Sequence, residues 1–157
     1  MSNVTINKQA KLSEHFKLAE LCKTSVKTKD GNIPSHVAIE NMKRLCGWLE
    51  MLRSEWNNRY GDGDDPIIIN SGYRSPAVNK AVGGVTTSNH LTGCAVDIRV
   101  LGMEQLLRYA VILLDISDES QEDFDELLIE RNSKGTYWLH FAVRPEGNRR
   151  KIRLMEG

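Results

Sequence analysis

Cysteine is scarce in this sequence, and long apolar runs are missing altogether. Its three cysteines, Cys22, Cys46 and Cys94, are widely spaced and form no CxxC pair, so we expect neither a disulfide framework nor a cysteine-rich structural metal site. No stretch approaches the roughly 20 apolar residues of a membrane span, and the N-terminus lacks the apolar core of a secretory signal. We therefore expect a protein without a membrane span that is cytoplasmic as synthesised.

Neither sign of charge is in excess. Lys and Arg number 21, as do Asp and Glu, so the net charge gives no indication of a nucleic-acid partner, and we expect none. The 157 residues, 40% of them hydrophobic, suffice for one domain with its own core. We predict a monomeric single domain over residues 1–157, with its core at about 12–143 and a polar, solvated tail at 144–157.

The apolar pattern predicts an α+β fold. From about His36 to Tyr60, apolar residues recur at alternating steps of three and four, which is typical of a buried stripe on a helix. Ser75 and Pro76 are the residue types favoured at a helix cap and at the first helical position. Further helices are predicted before Cys22 and at 104–116, and strands at 67–69, 95–100, 124–131 and 136–143.

Three polar residues form a candidate metal site. His90 and Asp97 are seven positions apart across a turn that contains Gly93, and Asp97 interrupts a predicted strand, as His140 does another. A buried acid is costly unless it is paired, hydrogen-bonded or metal-bound. Two imidazoles and a carboxylate are a plausible ligand set for zinc. Three protein ligands leave one position open, as in catalytic rather than structural zinc sites.

Other polar residues receive a structural interpretation. His15 and His36 are expected to be ordinary surface or core histidines. Cys94 lies between two candidate ligands and could be a ligand or a nucleophile, but a buried, inert thiol is the preferred interpretation. The acidic turn at 61–66 lacks the spacing and the terminal Glu of an EF-hand, so we interpret it as a solvated turn and not a calcium site.

Four segments together resemble the M15 zinc peptidases: SGYRSPAVNKAVGG at 71–84, SNH at 88–90, GCAVD at 93–97 and WLH at 138–140. That family comprises D-alanyl-D-alanine carboxypeptidases and related peptidoglycan endopeptidases. The resemblance covers roughly residues 12–143 and is greatest to phage and prophage members. It implies a small, mainly antiparallel sheet with packed helices, as in hedgehog proteins and D-Ala-D-Ala peptidases. It also implies that His90, Asp97 and His140 bind Zn²⁺.

The same resemblance implies roles in substrate binding. The family's arginine in the SGYRS segment, here Arg74, helps to hold a carboxylate or carbonyl oxygen of the substrate. A guanidinium is suited to this because it can bind a carboxylate through two hydrogen bonds. The alternative is a surface arginine paired with a neighbouring acid. Ser88 and Tyr73 are further candidates for supporting the substrate by hydrogen bonding.

The general base is the point at which the sequence departs from the family pattern. Many members carry an acid three residues before the last histidine, where this chain has Tyr137. We predict that Glu130 takes this role instead. The prediction requires a three-residue hairpin loop at 133–135, which pairs Glu130 with Trp138 and places it on the face of His140. A four-residue loop would place Glu130 on the other face.

These features predict zinc-dependent hydrolysis of peptide bonds in peptidoglycan stem peptides, by a D-Ala-D-Ala carboxypeptidase or an endopeptidase. Without a signal sequence, such an enzyme would reach the cell wall after lysis or as part of a virion, which fits cell-wall degradation by a phage endolysin. One alternative is a zinc-binding interaction module of the same fold without peptidase activity. Another is a metal-free structural domain.

Overall fold

The computed structural model describes residues 6–156. The helices are α1 (Leu18–Leu21), α2 (His36–Arg59), α3 (Pro76–Ala81) and α4 (Met103–Ser120), with a 3-10 helix at Asn89–Thr92. The strands are β1 (Ile69–Ser71), β2 (Ala95–Arg99), β3 (Glu126–Arg131), β4 (Tyr137–Ala142) and β5 (Lys151–Glu156). Within this range no helix combines the length and the apolar character that crossing a membrane requires.

The longest helix, α2, supplies much of the core. It begins after Ser35, whose hydroxyl oxygen accepts a hydrogen bond from the backbone N–H of Ala38 at 3.1 Å, as an N-cap does. The predicted apolar stripe is buried, and Met42, Leu45 and Leu49 have no exposed surface. A second long helix, α4, packs against α2 and contributes Leu106, Ile112 and Leu113 to the same core. The local apolar period therefore correctly indicated which face of α2 turns inward.

The strands form one mixed sheet in the order β1-β2-β4-β3-β5. Neighbouring strands are antiparallel except β3 and β5, which run parallel. The prediction of an α+β fold with a small, mainly antiparallel sheet is confirmed. One face of the sheet contributes Val96, Leu139 and Phe141 to the hydrophobic core. Because side chains alternate along a strand, Asp97 and His140 lie on the other face.

The β3–β4 hairpin has the three-residue loop that the sequence predicted. The N–H of Asn132 donates to the carbonyl oxygen of Thr136 at 3.0 Å. Gly135 has φ +82°, a left-handed conformation that glycine adopts without strain. Glu130 consequently lies opposite Trp138, on the sheet face that carries the predicted ligands.

The prediction of a solvated C-terminal tail is wrong, because this segment forms β5 beside β3. Asp125, which precedes β3, is fully buried. Its carboxylate accepts hydrogen bonds from the backbone N–H, Nε and Nη2 of Arg149 at 3.1, 3.0 and 2.8 Å. Arg144 Nε lies 3.2 Å from the same carboxylate. The acid and Arg149 are 24 positions apart, so the local charge pattern could not indicate that they meet.

Several predicted boundaries also differ from the structure. The strand predicted at 67–69 begins instead at Ile69 and ends at Ser71, where its register against β2 is irregular. The helix predicted at 104–116 continues to Ser120 and ends at Gln121, which has φ +60°. The extra turn is polar, but the hydroxyl of Ser117 is buried and donates to the carbonyl oxygen of Glu122 at 2.6 Å.

Replacing Asp125 by Asn should lower the free energy of unfolding by about 2–3 kcal/mol, because hydrogen bonds to a charged group are lost. Burial raises the pKa of Asp125, but hydrogen bonds from Arg149 and Asn89 outweigh it and lower the pKa from 3.8 to about 2. The contribution of Asp125 to the free energy of unfolding should therefore be complete above the ordinary carboxyl pKa and disappear as the pH falls toward about 2. Denaturant unfolding of both proteins across this range measures it.

The matched control is Asp62→Asn, in the exposed turn after α2. Equal stabilities of wild type and Asp125→Asn near neutral pH would contradict the role assigned to this carboxylate.

Candidate metal centre and active site

The fold brings the three predicted ligands together. His90 lies in the 3-10 helix between α3 and β2, Asp97 lies in β2, and His140 lies directly opposite Asp97 in β4. Their exposed fractions are 3%, 7% and 5%. Three buried polar side chains thus converge from two strands and one short helix, although His90 and His140 are separated by 50 positions of the chain.

The turn that presents His90 depends on two small residues. The hydroxyl oxygen of Ser88 accepts a hydrogen bond from the N–H of His90 at 3.1 Å and so caps the 3-10 helix. Gly93 ends that helix with φ +76°, and a Cβ there would lie 2.5 Å from the carbonyl oxygen of Ala38 in α2. Only glycine therefore permits both this conformation and this close approach. The turn fixes His90 against α2.

The donor geometry suits a small divalent cation. Asp97 Oδ1 lies 3.3 Å from Nε2 of His90 and 3.1 Å from Nδ1 of His140. Ligand atoms at the usual zinc distances of about 2.0–2.1 Å in a tetrahedron are themselves about 3.3 Å apart. Each of the three residues offers one ligand atom, and these atoms all lie within 4.8 Å of one another. Among the described residues, no other group of three or more histidine, cysteine and acidic side chains is this close.

The electrostatics also favour a cation at this point. Burial raises the pKa of Asp97, but the imidazoles of His90 and His140 outweigh it and hold this pKa well below the ordinary value. Burial lowers the pKa of His140, but hydrogen bonds to Asp97 and Glu126 outweigh it and raise the pKa to about 10. The acids around His140 therefore stabilise positive charge between them.

Two carboxylates of β3 flank His140. Glu130 Oε1 lies 3.7 Å from Nδ1 of His140, while Glu130 Oε2 accepts a hydrogen bond from Nε1 of Trp138 at 2.9 Å. Glu126 Oε1 lies 3.0 Å from Nε2 of His140. Burial raises the pKa of Glu130, which makes it a stronger proton acceptor than an exposed glutamate. Tyr137 packs against the core on the opposite face, where an acid could not reach the site.

The site opens into a cleft of about 750 Å³. Arg74 lines the cleft, and its Nη2 lies 3.4 Å from Asp97 Oδ2. Ser88 also lines it, whereas Tyr73 is buried and packs with the hydrophobic core. The cationic side chains at the cleft are Arg74, Arg131, Arg144, Arg149 and Lys151. An anionic ligand would therefore find complementary charge.

Cys94 and the acidic turn at 61–66 do not belong to the group of ligand atoms. Cys94 is buried and burial raises the pKa of its thiol, which makes it a poor nucleophile. In the acidic turn, Asp64 pairs with Arg53 at 3.0 Å and Asp65 accepts a hydrogen bond from Nε1 of Trp56 at 3.2 Å. These contacts agree with a structural turn.

Sequence reasoning missed Glu126 as a residue of the site. A glutamate at the start of a strand is common at the surface, and its partner His140 is 14 positions away. The available signal was the two-residue period of β3, which places Glu126 and Glu130 on one face.

Comparison with known proteins is consistent with this geometry. The family model for Peptidase M15 matches residues 14–115. A zinc D-Ala-D-Ala carboxypeptidase from Streptomyces albus G is 31% identical over 84 residues, which is 54% of this chain and 31% of that protein. The chain thus matches less than a third of that relative's length. The family match includes Arg74, His90 and Asp97 and ends before Glu130 and His140.

We expect purified protein to hold about one zinc per chain and to lose it in the His90→Ala variant, because two ligands alone bind zinc weakly. His36→Ala is the matched control, since that histidine is exposed at the start of α2. Elemental analysis after dialysis measures the content. Wild-type protein that takes up no added zinc, or a His90→Ala variant that keeps it, would contradict the ligand assignment.

Proposed function

The chain belongs to the peptidase M15 family, and we propose that it is a zinc-dependent peptidase that hydrolyses peptide bonds in the stem peptides of peptidoglycan. The observation that carries this proposal is the buried group of His90, Asp97 and His140, two of which, His90 and His140, line a cationic cleft. Family membership supports the reaction class. The name of the Streptomyces albus G relative supports zinc and the D-Ala-D-Ala bond.

His90, Asp97 and His140 would hold the metal, each through one ligand atom. Zinc in such a site supplies Lewis acidity toward the scissile carbonyl and lowers the pKa of a coordinated water. With three protein ligands, the metal would have coordination positions left for the carbonyl oxygen and the water. The rest of the chemistry falls to side chains that surround the group.

Glu130 is the proposed general base and acid. Its Oε2 accepts a hydrogen bond from Trp138, while Oε1 lies 3.7 Å from Nδ1 of His140, the nitrogen that faces Asp97. The carboxylate is thus fixed beside the ligand group but has one oxygen available to accept a proton from the attacking water and return it to the leaving amine. Its raised pKa brings it closer to neutral pH, where an acid that both accepts and donates is most effective.

The cationic cleft supports an acidic peptide as substrate. Stem peptides carry free carboxylates, including that of a terminal D-alanine, and the proposed partner of such a carboxylate or of the scissile carbonyl is Arg74. Its guanidinium is held near the ligand group by the contact with Asp97. A ligand that enters the cleft could also meet Arg131 and Lys151 at the β3–β5 side. Ser88 contributes by fixing the turn that carries His90.

Carboxypeptidase and endopeptidase cleavage both fit this chemistry, and we favour release of the terminal D-alanine because of the relative's activity. Action on the cell wall after lysis or from a virion, as in phage endolysins, stays a prediction from the family resemblance. A defined stem pentapeptide distinguishes the cleavage modes: free D-alanine indicates a carboxypeptidase, and two shorter peptides indicate an endopeptidase.

Replacing Glu130 by Gln should leave zinc content unchanged and lower kcat by at least about 100-fold, the usual contribution of a general base. Glutamine keeps the size of the side chain and can still accept the hydrogen bond from Trp138. Release of new amino groups from the stem peptide measures turnover, and Glu119→Gln, on the exposed side of α4, is the matched control.

Undiminished cleavage by Glu130→Gln would refute the base assignment. A zinc-loaded wild type that binds purified cell wall but cleaves nothing would refute the peptidase and favour the non-catalytic zinc-binding module.

A further inference from the structure

The two histidines of the ligand group turn different ring nitrogens toward Asp97. His90 Nδ1 lies 2.7 Å from the carbonyl oxygen of Gly72. A carbonyl only accepts hydrogen bonds, so Nδ1 carries the proton and Nε2 faces Asp97. His140 has the reverse arrangement: its Nδ1 faces Asp97, and its Nε2 lies 3.0 Å from Glu126 Oε1.

We propose that Glu126 is a positioning residue: it accepts a hydrogen bond from Nε2 of His140 and so fixes the ring whose Nδ1 faces Asp97. This inference rests on the metal site of the proposed function. An ionised carboxylate accepts but does not donate, and a hydrogen bond from one ring nitrogen leaves the lone pair of the other for the metal. Carboxylates in this position also raise the basicity of the ligand and fix the ring plane.

A hydrogen bond from a neighbouring amide holds the Glu126 carboxylate in place. Asn89 Nδ2 donates to Glu126 Oε1 at 2.6 Å and lies 2.8 Å from Asp125 Oδ2. Arg144 Nε donates to the side-chain oxygen of Asn89 at 2.9 Å. The side-chain amide of Asn89 is therefore fixed through both its nitrogen and its oxygen. These hydrogen bonds thus connect His140, through Glu126, to the residue that precedes His90 in the chain.

The geometry separates the roles of the two β3 acids. Glu130 approaches the nitrogen of His140 that faces Asp97, whereas Glu126 contacts the nitrogen on the far side of the ring. Glu126 is thus turned away from the point where the ligand atoms converge. It acts on the metal through His140 and does not touch the reacting atoms.

The direct test is nuclear magnetic resonance of zinc-loaded ¹⁵N-histidine protein. We expect a proton on Nε2 of His140 that is hydrogen-bonded to Glu126, and a shifted Nε2 resonance in Glu126→Ala but not in Glu119→Ala. An Nε2 without a proton, or an Nε2 resonance that does not move in Glu126→Ala, would overturn the inference while leaving the metal site intact. Protein that binds no metal would refute the proposed function as well.

Variants give an independent readout in zinc affinity, measured by competition with a chromophoric chelator. Glu126→Ala should weaken zinc binding by about 10- to 100-fold, as is usual when a partner of a ligand histidine is lost. Glu126→Gln should restore most of the affinity, because its amide oxygen still accepts the Nε2 proton. Glu119→Ala is the control. Wild-type affinity in Glu126→Ala would overturn the inference, as would equal losses in the Ala and Gln variants.

Discussion

A carboxylate buried in the middle of a sheet constrains the arrangement of this site. Transfer of an ionised acid from water to a protein interior costs several kcal/mol unless charged or polar partners compensate. Asp97 has His90 and His140 on one oxygen and Arg74 near the other. A protonated imidazole and a divalent cation compensate such a charge in the same way. The residues that make Asp97 tolerable in the fold are therefore also suited to hold a metal.

The hairpin between β3 and β4 decides which further groups reach this carboxylate. Its three-residue loop fixes the register, and the alternation of side chains then places Glu126, Glu130 and His140 on one face. A shift of one residue would move both acids to the apolar core side of the sheet, where burying a charge is costly. Register and function are thus coupled through the loop that ends at Gly135. The residue three positions before His140 packs on the core side, which explains why this chain can carry Tyr137 there.

Features that depend on neighbouring residues were predictable from the sequence. The stripe of α2, the cap at Ser75 and the loop before Gly135 are local, and local chemistry determines them. The pairing of β5 with β3 was not predictable in this way, because it depends on Asp125 meeting Arg149 across 24 positions. The tail did alternate, with Ile152 and Leu154 between charged residues, but both remain more than half exposed. The pattern therefore lacked the strength of a buried strand.

The site, like the fold, was predictable only in part. Asp97 and His140 could be named because polar residues in predicted strands need a reason. His90 could be named because it lies at a glycine-containing turn seven positions before Asp97, and the family resemblance joined the three. The period of β3 could place Glu126 on the face of Glu130. Its contact with His140, and the contact of Asn89 with Glu126, depend on the folded structure.

The most direct test of the account is anomalous diffraction at the zinc absorption edge from crystals of the zinc-loaded protein. We expect one strong peak at about 2.0–2.2 Å from a nitrogen of His90, a nitrogen of His140 and an oxygen of Asp97, the usual zinc–ligand distances. A peak at other residues, or none in zinc-loaded crystals, would contradict it.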